Sequence, residues 1–212
     1  MDSDLEHWLV FFNGESLPLA SPPNLADNFR VLAVDGGLSS VQGLGLQADV
    51  FIGDGDSCSA SELPENSLIL AQEKDVLDGE VALEFLQSKN PLKVDLYNFL
   101  QGRWDMSICH IQSLLRFMKL ANRTHIHTPR SEIIYRNSPF KGPTKNGQLF
   151  SIIPLKPMEA VTIRGAKYEI SQKDLKPGSG LGLSNQTTST ELSIDFAGHT
   201  PYLVEFHLSG AL

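Results

Sequence analysis

The chain has 212 residues, 41% hydrophobic and 20% charged, the balance of a folded protein with one large domain or two small ones. Its formal net charge of −8 argues against non-specific nucleic-acid binding, which needs a basic surface to neutralise phosphates. The first apolar run, "WLVFF" at 8–12, is too short for a membrane span or a signal-peptide core and has no basic flank. Cys58 and Cys109 form no disulfide framework, so free thiols and a cytoplasmic location are expected.

In chain order, strands are expected at 7–14 ("HWLVFFNG"), 29–37 ("FRVLAVDGG"), 48–56 ("ADVFIGDGD") and 66–72 ("NSLILAQ"). A helix is expected over 79–86, where Val81, Ala82, Phe85 and Leu86 share a face. Another strand follows at 93–102 and a longer amphipathic helix at 107–121. Strand and helix in alternation imply a parallel sheet with helices on both faces. Beyond about Pro129 the pattern changes to short apolar runs separated by Gly, Pro and Asn, at 147–155, 159–165, 166–170, 190–198 and 200–208. These predict an antiparallel sandwich. The fold class is therefore α/β followed by all-β, with domains 1–135 and 136–212 and the boundary in the segment 130–142.

The chemistry concentrates where the parallel strands should end. Asp35, Asp54 and Asp56 all fall at carboxyl ends of strands, which is where open α/β sheets bind ligands. Asp75 and Asp78 follow in "KDVLDGEVAL", just before the helix at 79. Taken alone, Asp78 reads as a helix cap and Asp35-Gly36-Gly37 as a turn. Five carboxylates converging on one rim would repel strongly without a cation, and hard oxygen ligands beside a phosphate suit Mg²⁺. Lys74 and Arg103 are the candidate phosphate contacts. No phosphate-binding loop of either common glycine-rich kind is present. An EF-hand reading from Asp54 fails, because Cys58 and Ser59 stand where a ligand and a glycine are needed.

These motifs resemble, in order, those of the thiamin pyrophosphokinase family: "VDGG" at 34–37, "ADVFIGDGDS" at 48–57, "KDVLDGEVAL" at 74–83, "QGRWD" at 101–105 and "GLGLSNQ" at 180–186. The resemblance implies a nucleotide-binding α/β domain, a thiamin-binding β-sandwich, and a homodimer with thiamin at the subunit interface. It implies transfer of pyrophosphate from ATP to the hydroxyl of thiamin, giving thiamin diphosphate and AMP. On that basis Asp54, Asp56 and Asp78 would hold Mg²⁺ and, with Arg103, carry catalysis. Asp35, Gly36, Ser57, Lys74, Asp75 and Asp105 would support the site or contact substrate, and Ser184 and Asn185 would shape the thiamin pocket.

Four positions depart from the family pattern: Leu77 for Thr, Met106 for His, His110 for a common Asn and Gln186 for Glu. Two other readings stay open on that account, a transferase acting on another alcohol and a non-catalytic thiamin or nucleotide sensor. Elsewhere, His125 and His127 alternate on a strand and read as an exposed face rather than half a metal site. Trp8 and Trp104 read as packing residues, with base stacking an alternative for Trp104.

Overall fold

The computed structural model describes residues 6–14, 29–56 and 60–208. Two compact units divide at Pro129 and Arg130, the start of the segment in which the sequence changes texture.

The first unit contains β1 (His7–Phe11), β2 (Phe29–Val34), α1 (Gly37–Gly43), β3 (Val50–Gly53), β4 (Ser67–Ile69), α2 (Asp78–Lys89), β5 (Lys93–Tyr97), α3 (Trp104–Ser113) and β6 (Thr124–His127). Its strands lie parallel in the order β6-β5-β1-β2-β3-β4. The chain winds outward from β1 to β4 and returns to β5 on β1's other side, so the topological switch point lies between β1 and β5. Leu9, Phe11, Val31, Ala33 and Phe51 pack with Leu38 and Val41 of α1 on one face. The alternate residue Trp8 points to the other face and meets Phe85 of α2 edge-on at 5.5 Å. Helices therefore cover both faces, which is why the strands are apolar at successive residues rather than alternate ones.

α1 was not legible as a helix, because a Gly-Gly pair opens it. Gly37 explains the pair: a Cβ there would sit 1.9 Å from the Phe11 carbonyl oxygen, so only glycine lets α1 start against the end of β1. The expected helix at 107–121 is shorter than predicted. α3 ends at Ser113, and tight i→i−3 bonds follow, Arg116 N–H to Ser113 O at 2.8 Å and Phe117 N–H to Leu114 O at 3.1 Å. Leu114, Phe117 and Leu120 are all buried. Their spacing of three suits a 3₁₀ turn better than the α-helical period.

Among the described residues of this unit, Asp95 is a buried charge, 3% exposed in the middle of β5. One carboxylate oxygen accepts from His127 Nε2 at 2.7 Å, and the other pairs with Lys93 Nζ at 2.8 Å and with His7 Nε2. The residue thus ties β1, β5 and β6 together. His127 also stacks on Tyr97, centroids 4.7 Å apart, so its strand face is not the exposed one expected. Burial pushes the Asp95 carboxyl up, but the hydrogen bonds from His127 and Lys93 together outweigh it and hold the group below the usual carboxylate range.

The second unit is all β: β7 (Ser131–Arg136), β8 (Phe140–Pro143), β9 (Leu149–Pro154), β10 (Met158–Arg164), β11 (Ile170–Leu175), β12 (Asn185–Gln186), β13 (Glu191–Asp195) and β14 (Tyr202–His207). Two antiparallel sheets form, β12-β9-β14-β7 and β11-β10-β13-β8. Phe150, Ile152, Tyr202 and Val204 from the first interleave with Val161, Ile163, Leu192 and Ile194 from the second in one core, as a sandwich requires. The run expected at 166–170 becomes a strand only from Ile170. β11 is an edge strand with exposed polar residues and an irregular register against β10, so its sequence carries little apolar signal.

Two outcomes follow for this architecture. Gly37→Ala should destabilise the protein by about 3 kcal/mol, the upper end of ordinary overpacking, in urea unfolding. Because the Asp95 carboxyl is depressed in the fold, its contribution to stability is fully present above the unfolded value of about 4 and is lost as pH falls toward the folded value. Urea unfolding between about pH 2 and 6 should show that loss in wild type and a flatter acid limb in Asp95→Asn.

Candidate active site at the carboxyl rim of the parallel sheet

Asp35 follows β2 and Asp54 follows β3, neighbouring parallel strands, so both reach the same rim. The Asp35 N–H donates to Ile52 O at 2.9 Å, which locks the two strand ends in register. Gly53 allows the close approach: a Cβ there would lie 3.0 Å from the Asp35 Cα and 2.9 Å from the Phe51 ring. Asp35 itself sits at φ 50°, a left-handed conformation that costs a non-glycine residue on the order of 1 kcal/mol. The Asp56 N–H donates to Asp54 Oδ1 at 3.1 Å and folds the third carboxylate back over the second. As a result, one oxygen each from Asp35, Asp54 and Asp56 lies within 4.8 Å of the others. Asp35 and Asp54 are half-buried and Asp56 is exposed, so the cluster opens outward.

Hard carboxylate oxygens, gathered at a rim with space on one side, fit Mg²⁺, which keeps part of its water shell and shares phosphate ligands. Asp78 is not one of the three. It opens α2, and its Oδ1 lies 3.0 Å from Lys74 Nζ, which also donates to Ala71 O at 3.1 Å. Leu77 holds the N-cap position of α2 without a side-chain hydrogen bond, so this helix start has no hydroxyl cap. Asp75 is exposed in the preceding turn. Arg103 and Asp105 form an exposed bidentate pair, Nε to Oδ1 at 3.1 Å and Nη2 to Oδ2 at 2.6 Å. That hydrogen bonding holds the Asp105 carboxyl below its ordinary value and raises Arg103. Trp104 between them is 75% exposed, so it is not a packing residue. Ser57 lies outside the described residues.

Two rim residues escaped the sequence reading. Asn13 Nδ2 approaches Asp35 Oδ2 at 3.5 Å, and its side chain fills the space beside Gly36. Asn98, after β5, is 8% exposed at φ 59° and donates to Phe12 O and Ser40 Oγ, each at 3.3 Å. It spans the switch point between β1 and β5. The Asn-Gly at 13–14 looked like a turn, and Asn98 stood in an apolar run with no pattern around it.

In the second unit, Asn185 is 2% exposed, and its amide is spent on backbone: Oδ1 accepts from Tyr168 N–H at 3.0 Å and Nδ2 donates to Tyr168 O at 2.8 Å. Ser184, at φ 52°, is held through its N–H by Ser151 Oγ at 3.1 Å. Asn185 lines a cleft of about 420 Å³ with Tyr168, Ile170, Leu181 and Leu183 among others, of which Tyr168, Leu181 and Leu183 are exposed; Ser184 is not among the lining residues.

Two sequence models match consecutive parts of the chain. Residues 24–127 match "Thiamin pyrophosphokinase, catalytic domain", and residues 124–199 match "Thiamin pyrophosphokinase, vitamin B1 binding domain". The chain belongs to the thiamin pyrophosphokinase family. Solved structures agree in fold. Thiamine pyrophosphokinase from Bacillus subtilis aligns with a TM-score of 0.78 at 20% identity, covering 95% of this chain and 98% of that one. A thiamin pyrophosphokinase family protein from Enterococcus faecalis gives 0.79 at 20% identity, over 94% and 98%. Thiamin pyrophosphokinase from Candida albicans gives 0.75 at 14% identity, over 96% and 89%. At these identities the likeness is one of fold. Comparison with curated protein sequences finds no match. The α/β unit carrying the aspartates falls in the family's catalytic part, and the cleft at Asn185 in its vitamin-binding part.

The carboxylate cluster yields a direct test. Neutralising one member removes repulsion between oxygens within 4.8 Å of one another, so Asp54→Asn should stabilise the metal-free protein by at least about 1 kcal/mol, the scale for such charges in water. Thermal melts should also show Mg²⁺ stabilising wild type but not the variant, because a ligand that binds only the folded state raises its Tm.

Proposed function

We propose that the protein is a thiamin diphosphokinase that transfers pyrophosphate from ATP to thiamin, acting as a cytoplasmic homodimer with Mg²⁺. The observation that carries this reading is the convergence of Asp35, Asp54 and Asp56 at the rim of the unit matching the family's catalytic domain. In the reaction the thiamin hydroxyl oxygen bonds to the β-phosphorus of ATP. The bond from that phosphorus to the oxygen bridging to the α-phosphate breaks, and AMP leaves with the electron pair. The hydroxyl proton passes to a rim carboxylate or to water.

The three aspartates would hold Mg²⁺, which supplies positive charge against the polyphosphate when bound. Asp78 keeps the Lys74 ammonium at the rim, where it offsets charge on the transferred group. Asp105 engages Nε and Nη2 of Arg103, leaving Nη1 to reach a phosphate oxygen. The exposed Trp104 offers a face on which the base can stack. Asn185 fixes the backbone of Tyr168 on one wall of the cleft that would receive thiamin, and Ser184 precedes Asn185 in the chain. No helix among the described residues is long and apolar enough to cross a membrane, which is compatible with this setting.

Product analysis tests the reading. The purified protein with thiamin, ATP and Mg²⁺ should give AMP and thiamin diphosphate in equal amounts. Asp56→Asn should cut turnover by roughly 10²–10³-fold, the scale for removing one preorganised electrostatic group. Chelation by EDTA should stop the reaction and added Mg²⁺ restore it. Turnover independent of metal, or full activity in Asp56→Asn, would sink the mechanism.

A further inference from the structure

His110 belongs to α3 but acts on α2. Its ring is 8% exposed, stacks flat on Phe99 with centroids 4.7 Å apart and 10° between planes, and leans on Phe12 at 5.4 Å. Nδ1 lies 2.7 Å from Phe99 O, and a carbonyl only accepts, so Nδ1 carries the hydrogen. The ring is pinned in both position and tautomer. Burial holds the group below its ordinary value, against the Phe99 carbonyl and Glu80. The opposite edge, Nε2, faces the first turn of α2. A Cβ on Gly79 would fall 2.8 Å from Nε2 and 3.2 Å from Phe12 Cε1.

Gly79 is buried in α2, where alanine is the better helix former, and it is not among the residues of positive φ. Neither propensity nor backbone conformation calls for glycine there. Space does. The glycine lets the turn that carries Asp78 and its Lys74 partner settle onto the His110 edge.

We propose that His110 is the positioning residue for this turn: the pinned imidazole, seated against Gly79, sets where the Asp78–Lys74 pair stands at the rim. The inference rests on the reading that this pair serves the ATP polyphosphate. Gly79→Ala puts a methyl group into the imidazole. His110→Phe keeps the stack but drives a longer ring at Gly79. His110→Asn keeps a donor for Phe99 O and withdraws the Nε2 edge.

The test is steady-state kinetics with each substrate varied in turn, alongside thermal melts. Gly79→Ala and His110→Phe should each raise KM for Mg-ATP about tenfold, with KM for thiamin within about twofold. In the double variant Gly79→Ala, His110→Asn, the KM for Mg-ATP should return to within about threefold of wild type. An unchanged KM in Gly79→Ala, or a double variant no better than the single one, overturns the proposal. So does a uniform loss of kcat tracking a lowered Tm, since that is a structural defect alone. If wild type makes no thiamin diphosphate, calorimetric titration with a non-hydrolysable ATP analogue reads the same series. A binding defect in Gly79→Ala relieved by His110→Asn would support the positioning role while the transfer reading fails. No binding by wild type would overturn both.

Discussion

Three carboxylates held within 4.8 Å of one another set the terms for the α/β unit. Their mutual repulsion opposes folding, so the backbone must impose the arrangement rather than merely allow it. Asp35 is placed by a strand end and a left-handed turn, Asp54 by the next strand, and Asp56 by its own N–H on Asp54. The repulsion that burdens the free protein is the same quantity that favours a divalent cation.

The surrounding rim is built by close backbone approach more than by side-chain bulk. Gly37 brings α1 against the Phe11 carbonyl, and Gly53 brings the end of β3 against Asp35. Asn98 stitches the crevice between β1 and β5 through Phe12 O and Ser40 Oγ. At the switch point the Asn98 amide is thus committed to the seam rather than to a ligand. The second unit follows the same economy of means at its cleft, where Asn185 spends a buried amide on the Tyr168 backbone.

Much of this was legible in the sequence for identifiable reasons. "FRVLAV" and "ADVFIG" announce buried parallel strands because both faces are covered, and each is followed at once by an aspartate, so the rim could be read off the strand ends. Helix α1 was hidden because its signal is a packing requirement at Gly37, visible only once Phe11 is in place. The tail of α3 misled because Leu114, Phe117 and Leu120 satisfy a helical apolar pattern loosely and a three-residue period better. β11 hid because an edge strand needs no apolar alternation. The separation of Asp78 from the three rim aspartates, and the Arg103–Asp105 pairing, depend on side-chain distances that spacing does not encode.

The ties around Asp95 constrain how this chain can drift. Removing either imidazole first leaves a buried carboxylate with fewer donors, while its charge remains. Removing the carboxylate first leaves two imidazole donors without their acceptor and a lysine that already reaches solvent. Either first step therefore leaves a buried group short of a partner, and a lineage that keeps the aspartate should keep both rings.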